Sequence, residues 1–208
     1  MAKKITKKQY HHGDLRLAIL EAADSILAKE GIAALSMREV SRILDVSHGA
    51  PYRHFTDKEA ILAALALAGF QQLNEEQDHI LARSELNGRE RLKQCGSSYL
   101  KLAAQKPHRF RMMFEQFPAE VMSRHQGLAD ASQRFFQTLS SLVAICQKEG
   151  TARLTPAPQL AAAFWSMTHG FLSLALTSGS SLVRDSGVSL SVLEDLCLET
   201  VMRGLGPD

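Results

Sequence analysis

Apolar residues recur along this chain at the spacing of a helix face, and the one stretch where that rhythm fails narrows the fold most. In "DLRLAILEAADSILAKEG" they fall at Leu15, Ala18, Ile19, Ala22, Ile26 and Leu27, the i, i+3, i+4, i+7 pattern of a one-sided helix. Asp14 suits its start and Gly31 its stop. Ser36-x-x-Glu39 reads as a capping box opening a helix of about two turns, with Met37, Val40, Ile43 and Leu44 inward. Thr56-x-x-Glu59 reads as a second box, with Asp57 favourable to the helix dipole. It opens a long helix over about 57–82, built on Ile61, Leu62, Leu65, Phe70 and Leu73. Between the two boxes lies "VSHGAPYRHFTDKEA", residues 46–60. Ser47 can cap a short segment there, roughly 48–54, in spite of Gly49 and Pro51. Two short helices joined by a tight turn form a helix-turn-helix unit. The second is too short to be stable alone, so its neighbours hold it and its outer face is left for contact.

The remainder reads as helical too. A helix is expected over about 88–105 after the polar "SELNG", with Leu92, Cys95, Tyr99 and Leu102 inward. Pro107 starts a short aromatic one, and Pro118 with "SRHQG" marks a loop. Further helices are expected over about 128–149, stopped by Gly150, from about 157 to Gly179, and, after a Ser/Gly loop, over about 188–204. No strand pattern competes, so the expected fold is all-α with about nine helices. The 157–178 helix carries one stripe of Leu160, Phe164, Met167, Phe171 and Leu174. Another is Ala162, Trp165, His169, Leu172 and Leu176. A helix apolar on most sides is buried on most sides. One side can face the core and the other a partner subunit, beside Leu193, Leu196, Cys197, Thr200 and Val201 of the last helix. Such a two-helix face pairing with its own copy makes a four-helix bundle with twofold symmetry.

Charge adds a modest clue. Residues 1–60 hold 10 Lys+Arg against 8 Asp+Glu, a net +2 that matches the whole chain, and the excess sits in "MAKKITKKQYHH". A basic terminal arm is a weak nucleic-acid signal, and a solvated tail is the plainer reading. Cys95, Cys146 and Cys197 have neither paired nor zinc-like spacing and read as small buried hydrophobes. No apolar stretch follows the lysines as a leader would require, and none has the length of a membrane span. A cytoplasmic protein is expected, with no cofactor and no metal.

A helix-turn-helix lays its second helix in the major groove. Gly49 and Ala50 then allow close approach. Pro51 falls in the first turn, where its missing N–H costs little. Tyr52, His54 and Lys58 can donate to phosphates, while His48 and Arg53 can reach phosphates or base edges. A merely solvated face would look similar, and Phe55 reads as core.

"LSMREVSRILDVSHGAPYRHFTDKEAIL", residues 35–62, closely resembles the DNA-binding motif of the TetR/AcrR family of bacterial transcriptional regulators. Ser36, Val46-Ser47, Tyr52-Arg53-His54-Phe55 and Lys58-Glu59 occupy the positions of that motif. Asp45 stands in place of the usual turn glycine and Pro51 in place of a leucine or isoleucine. More loosely, "PHRFRMMF" and "WSMTHGFLSL" resemble the WHG type of ligand-binding domain. The resemblance implies an arm and DNA-binding domain over 1–56, a linking helix over 57–82, and an effector-binding and dimerisation domain over 83–208. It implies Arg38, Ser47, His48, Gly49, Ala50, Tyr52, Arg53, His54 and Lys58 as the DNA-contacting residues. Phe110, Met113, Phe114, Phe117, Trp165 and His169 become candidates to line an effector pocket, against the ordinary reading of such residues as core. His169 either holds a polar group of the ligand or bonds a backbone carbonyl. The implied function is a homodimeric regulator, a repressor released from a palindromic operator by a small, largely hydrophobic effector. A ligand-independent DNA-binding or architectural dimer is the alternative. The chain lacks HExxH, GxSxG, P-loop and GxGxxG patterns, and an enzyme is not expected.

Overall fold

The computed structural model describes residues 15–115, 117, 122, 124–176 and 185–207. The lysine-rich arm, Asp14, Pro118, Ser123 of the polar loop, and Gly179 with the Ser/Gly loop lie outside the described residues. Within them the protein has eight α-helices, one 3-10 segment and no strand. The helices are α1 (Leu15–Glu30), α2 (Met37–Leu44), α3 (Lys58–Leu81), α4 (Gly88–Gln105), α5 (Pro107–Glu115), α6 (Gln126–Lys148), α7 (Ala157–Ala175) and α8 (Leu190–Gly204), with the 3-10 segment at Pro51–Arg53. Two compact units divide between Leu65 and Ala66, inside α3.

In the first unit, α1 buries Ala18, Ile19, Ala22, Ala23, Ile26 and Leu27, while Leu15 is half-buried. Gly31 ends the helix with φ +81, a left-handed value that glycine takes without strain. At α2 the expected capping box is half made. Ser36 Oγ accepts from Glu39 N at 3.1 Å, but the Glu39 carboxylate turns to Arg42 at 2.6 and 2.9 Å instead of back to the cap. Asp45 closes α2 at φ 53 and ψ 46, so the aspartate adopts the geometry for which glycine is usual. Ile43 does not face inward: it is 43% exposed, and Ser41 takes the inner place, its hydroxyl donating to Met37 O at 2.9 Å. The cap of α3 also moves by one residue, from Thr56 to Asp57, whose Oδ1 accepts from Ala60 N at 2.8 Å.

The second unit is built round α4. It packs against α5, α6, α7 and α8, and α7 lies along both α6 and α8. Two glycines permit this. A Cβ on Gly96 would lie 2.6 Å from Leu198 Cδ2 and 2.8 Å from Phe164 Cζ, and one on Gly88 would lie 2.7 Å from Ile145 Cγ2. α4 opens with a capping box made by Asn87 and Glu90, an N-x-x-E signal that is legible in the sequence. Glu149, at the end of α6, adds its carboxylate to Gly88 N at 2.8 and 3.1 Å, satisfying an amide that the helix leaves open. Arg89 donates to Met202 O at 2.7 Å and to Thr151 O at 3.3 Å, holding the end of α8. Leu92, Cys95, Tyr99, Leu100 and Ala103 are buried, and Leu102 is only half-buried. Each buried side chain of Leu or Phe size stabilises by roughly 1.5–3 kcal/mol.

The two stripes expected on α7 are redistributed. Its core face is Leu160, Ala161, Phe164, Thr168 and Leu172: two residues come from the first stripe, one from the second, and Ala161 and Thr168 from the strip between them. Met167 and Leu174 are 50% and 60% exposed. Cys95 and Cys146 are buried, whereas Cys197 is half-buried; desolvation pushes the Cys95 thiol up to about 12.

Candidate functional site

In the N-terminal unit the segment expected as a short helix over 48–54 is a turn followed by the 3-10 segment. Ala50 N donates to Ser47 O at 2.9 Å, Arg53 N to Ala50 O at 3.2 Å and His54 N to Pro51 O at 3.0 Å, all to the third residue back. Pro51 has no N–H to give to Ser47 O, so that α-type bond is absent, and Phe55 N makes one further on, to Pro51 O at 3.0 Å. Pro51 occupies the first position of the segment, and the cap is Ala50, not Ser47.

Pro51 and Phe55 are buried beneath this winding, and the Arg16 guanidinium lies 5.1 Å above the Phe55 ring. Arg38, Ser47, His48, Gly49, Tyr52 and Arg53 are exposed, while Ala50, His54 and Lys58 are half-buried. The His48 and Tyr52 rings meet edge to face at 5.8 Å. Lys58 Nζ donates to Ile32 O at 2.5 Å, tying α3 to the loop after α1. Gly49 has no left-handed φ, and a Cβ there would meet no atom within 4 Å. Nothing inside the chain therefore calls for a glycine at 49.

In the second unit Phe110, Phe114, Trp165 and His169 come together. The His169 ring lies 4.7 Å from Trp165 and 5.1 Å from both Phe110 and Phe114. Sequence reasoning overlooked the other members: Phe70, 5.3 Å from Phe114; Tyr99, 5.8 Å from Phe110, Phe114 and Phe135; and Phe136, 4.9 Å from Trp165. Met113 is buried with its thioether against Gly69, where a Cβ would lie 2.3 Å from the sulfur. Phe117 is half-buried and joins no ring contact among the described residues.

His169 bonds a side chain where a backbone carbonyl had been one expectation: Nδ1 lies 2.8 Å from the Tyr99 hydroxyl. Burial holds its imidazole below the ordinary histidine value and pushes the Tyr99 phenol upward. Both stay neutral near pH 7, and the two groups share one hydrogen bond whose direction follows the imidazole tautomer. The adjacent "FF" at 135–136 was the overlooked signal, since neighbouring residues on one helix reach different neighbours.

A third feature is an open apolar groove of about 440 Å³ between α7 and α8, lined in part by Met167, Phe171, Leu193, Leu196 and Cys197. Among the described residues no group of three or more His, Cys, Asp or Glu could hold a metal ion, and no helix is long and apolar enough to cross a membrane.

Comparison with known proteins gives two family matches. Residues 19–65 match the bacterial regulatory proteins of the tetR family, and residues 92–195, half of the chain, match the tetracyclin repressor-like C-terminal domain. The HTH-type transcriptional regulator TtgR of Pseudomonas putida is 32% identical over 72 residues. That match covers 35% of this chain and 32% of TtgR, so the chain spans about a third of the length of this curated relative. A protein of unknown function from Rhodococcus sp. RHA1 superposes with a TM-score of 0.80 at 28% identity, over 96% of this chain and 100% of its own. The ketosteroid transcriptional regulator KstR2 of Mycobacterium tuberculosis shares the fold, with a TM-score of 0.71 at 17% identity over 95% of this chain and 98% of its own.

Proposed function

This chain belongs to the tetR family of bacterial regulatory proteins, and from that premise we propose that it is a cytoplasmic, sequence-specific DNA-binding regulator that represses its target until an effector releases it. The family is one of regulators, not enzymes. The observation that carries the reading is the 3-10 segment, with Pro51 and Phe55 inside and His48, Gly49, Tyr52 and Arg53 outside. This is a surface held rigid from beneath and occupied by groups that donate to phosphates and base edges. Arg38, Ser47, Ala50, His54 and Lys58 complete the proposed contact set. Lys58 already serves Ile32 O, and two of its three ammonium protons are left for a phosphate.

The protein acts as a homodimer through α7 and α8. Exposed Met167, Leu174, Val192 and Leu196 form an apolar face there beside the open groove, and a second copy covers it. Two recognition segments about 34–36 Å apart then meet successive major grooves of a palindromic site. The effector is small and largely apolar. It enters the aromatic interior around Phe110, Phe114, Trp165 and His169, and Met113 and Phe117 are the further candidate lining residues. It moves the pair out of register through α3, to the extent that it binds the two states unequally. The rings already touch one another, which favours one competing reading, a dimer that binds DNA without an effector.

Fluorescence anisotropy on DNA flanking the protein's own gene, against scrambled DNA at several salt concentrations, tests the DNA reading. Tight binding that depends on the palindrome is expected. Equal, weak binding to both would reduce the contact to electrostatics.

A further inference from the structure

The interior of the second unit contains polar atoms that the chain does not satisfy. Asn74 and Gln77 are 4% and 3% exposed. Asn74 Nδ2 donates to Ala131 O at 3.0 Å and Gln77 Nε2 to Phe135 O at 3.5 Å, both on α6. Reversing either amide would set oxygen against oxygen, so the orientation is determined. Asn74 Oδ1 and Gln77 Oε1 are then buried acceptors without a partner. Buried polar groups are almost always paired, and two such acceptors three residues apart on one helix call for a shared donor.

Their surroundings define that donor. Phe70, Asn74 and Gln77 follow at i, i+4 and i+7 and share one stripe of α3. Phe70 meets Phe114 at 5.3 Å and Phe135 at 6.4 Å, and Phe135 lies 5.8 Å from Tyr99. The stripe is thus aromatic at one end and lined with oxygen at the other. Ring faces and carbonyl oxygens are both electron-rich. Together they attract an ammonium group and repel a carboxylate. Trp165 Nε1 is buried in the same ring cluster and is directed to the Tyr99 hydroxyl, so the unpaired acceptors of this interior are those of Asn74 and Gln77.

We propose that the second unit takes an aromatic amine, its ammonium group received by Asn74 Oδ1 and Gln77 Oε1 and its ring by Phe70, Phe135 and Tyr99. This rests on the effector reading above and deepens it by stating the chemistry of the ligand: a flat, apolar body with a hydrogen-bond-donating end, not an acid.

Trp165 is the only tryptophan of the chain, so its emission reports on this interior. The full-length protein is titrated with 2-phenylethylamine, 3-phenylpropionate and propylbenzene, which share a ring and differ at the end. The amine should bind at least about ten-fold more tightly than either analogue. Gln77→Met and Asn74→Leu should each lower its affinity toward that of propylbenzene, with circular dichroism confirming the fold. Equal affinity for the three compounds, as ordered water at these oxygens would give, overturns the proposal. So does preference for the acid, or no binding up to the solubility limit. The ranking in the unmodified protein decides even where a variant fails to fold. Anisotropy on DNA in the same samples separates the two readings. An amine that binds but leaves DNA affinity unchanged defeats the effector role and leaves the amine site standing.

Discussion

In the N-terminal unit the chemically unusual side chains, His48, Tyr52 and Arg53, face water around a buried Pro51 and Phe55. In the second unit the corresponding atoms, of Asn74, Gln77, Trp165 and His169, face inward among aromatic rings. Outward groups are satisfied by water until a partner replaces it, so they burden the free protein little. Inward groups left unpaired burden the free protein by roughly 1–3 kcal/mol each. Truncating the outward side chains of the first unit should therefore act on binding and leave melting nearly unchanged, and substituting the inward side chains of the second should act on melting as well.

Salt gives the largest effect. If each subunit of a dimer neutralises about four phosphates, DNA affinity should fall roughly 10³–10⁵-fold between about 50 and 200 mM salt. Thermal melting over the same range should shift little; a comparable shift in melting would erase the distinction between the units. Phe164→Ala should cost about 3–5 kcal/mol in denaturant unfolding, because it empties a fully packed position between α4 and α7. Arg53→Ala should leave unfolding unchanged and weaken operator binding by about 1–3 kcal/mol, relaxing specificity if it reads a base. An equal loss on every sequence would make Arg53 a phosphate contact. Gly49→Ala sharpens the contrast further. With open space around the new methyl group, stability should hold or rise by up to about 1 kcal/mol, while DNA binding falls if the groove floor comes close to residue 49.

The smallest effect is on pH dependence. Burial lowers the His169 value in the folded chain, whereas the unfolded chain takes up its proton near pH 6.5. Above about pH 6.5 both states are neutral and nothing is lost. Below it the unfolded chain gains a proton that the folded chain refuses, so this residue makes stability fall as pH falls. Melting at about pH 7.5 and 5.5 should differ less in His169→Phe than in the unmodified protein, and an unchanged difference would remove His169 from the account.

The long helices were legible because their periodicity leaves little choice: α4 was expected over about 88–105 and runs Gly88–Gln105, and α3 differs from 57–82 by a residue at each end. Short elements were less legible. On two turns of α2, Ile43 and Ser41 both fit an inner face by spacing, and packing against α1 selects the serine. The 3-10 winding begins at Pro51, where a hydrogen bond to Ser47 O is absent, and periodicity does not register that. On α7 the polar separators Ser166, Thr168 and Ser173 are all small enough to be buried, as Thr168 is, and so periodicity did not mark which side Met167 would take. Asn74 and Gln77 escaped notice because "NEEQD" reads as a solvated run, although only its first and fourth residues point inward.

Pro51 and Phe55 anchor the 3-10 segment from below, while positions 48, 49, 52 and 53 have their side chains or open space on the outside. The segment therefore behaves as a cassette, in which the frame and the lettering belong to different residues. If the proposed contacts hold, a library randomised at those four positions, with 51 and 55 held constant, would consist of proteins alike in stability and different in how they bind DNA, those that change a base contact also differing in the DNA they select. On that reading, changing the DNA surface of this regulator becomes a search over four letters within an unchanged fold.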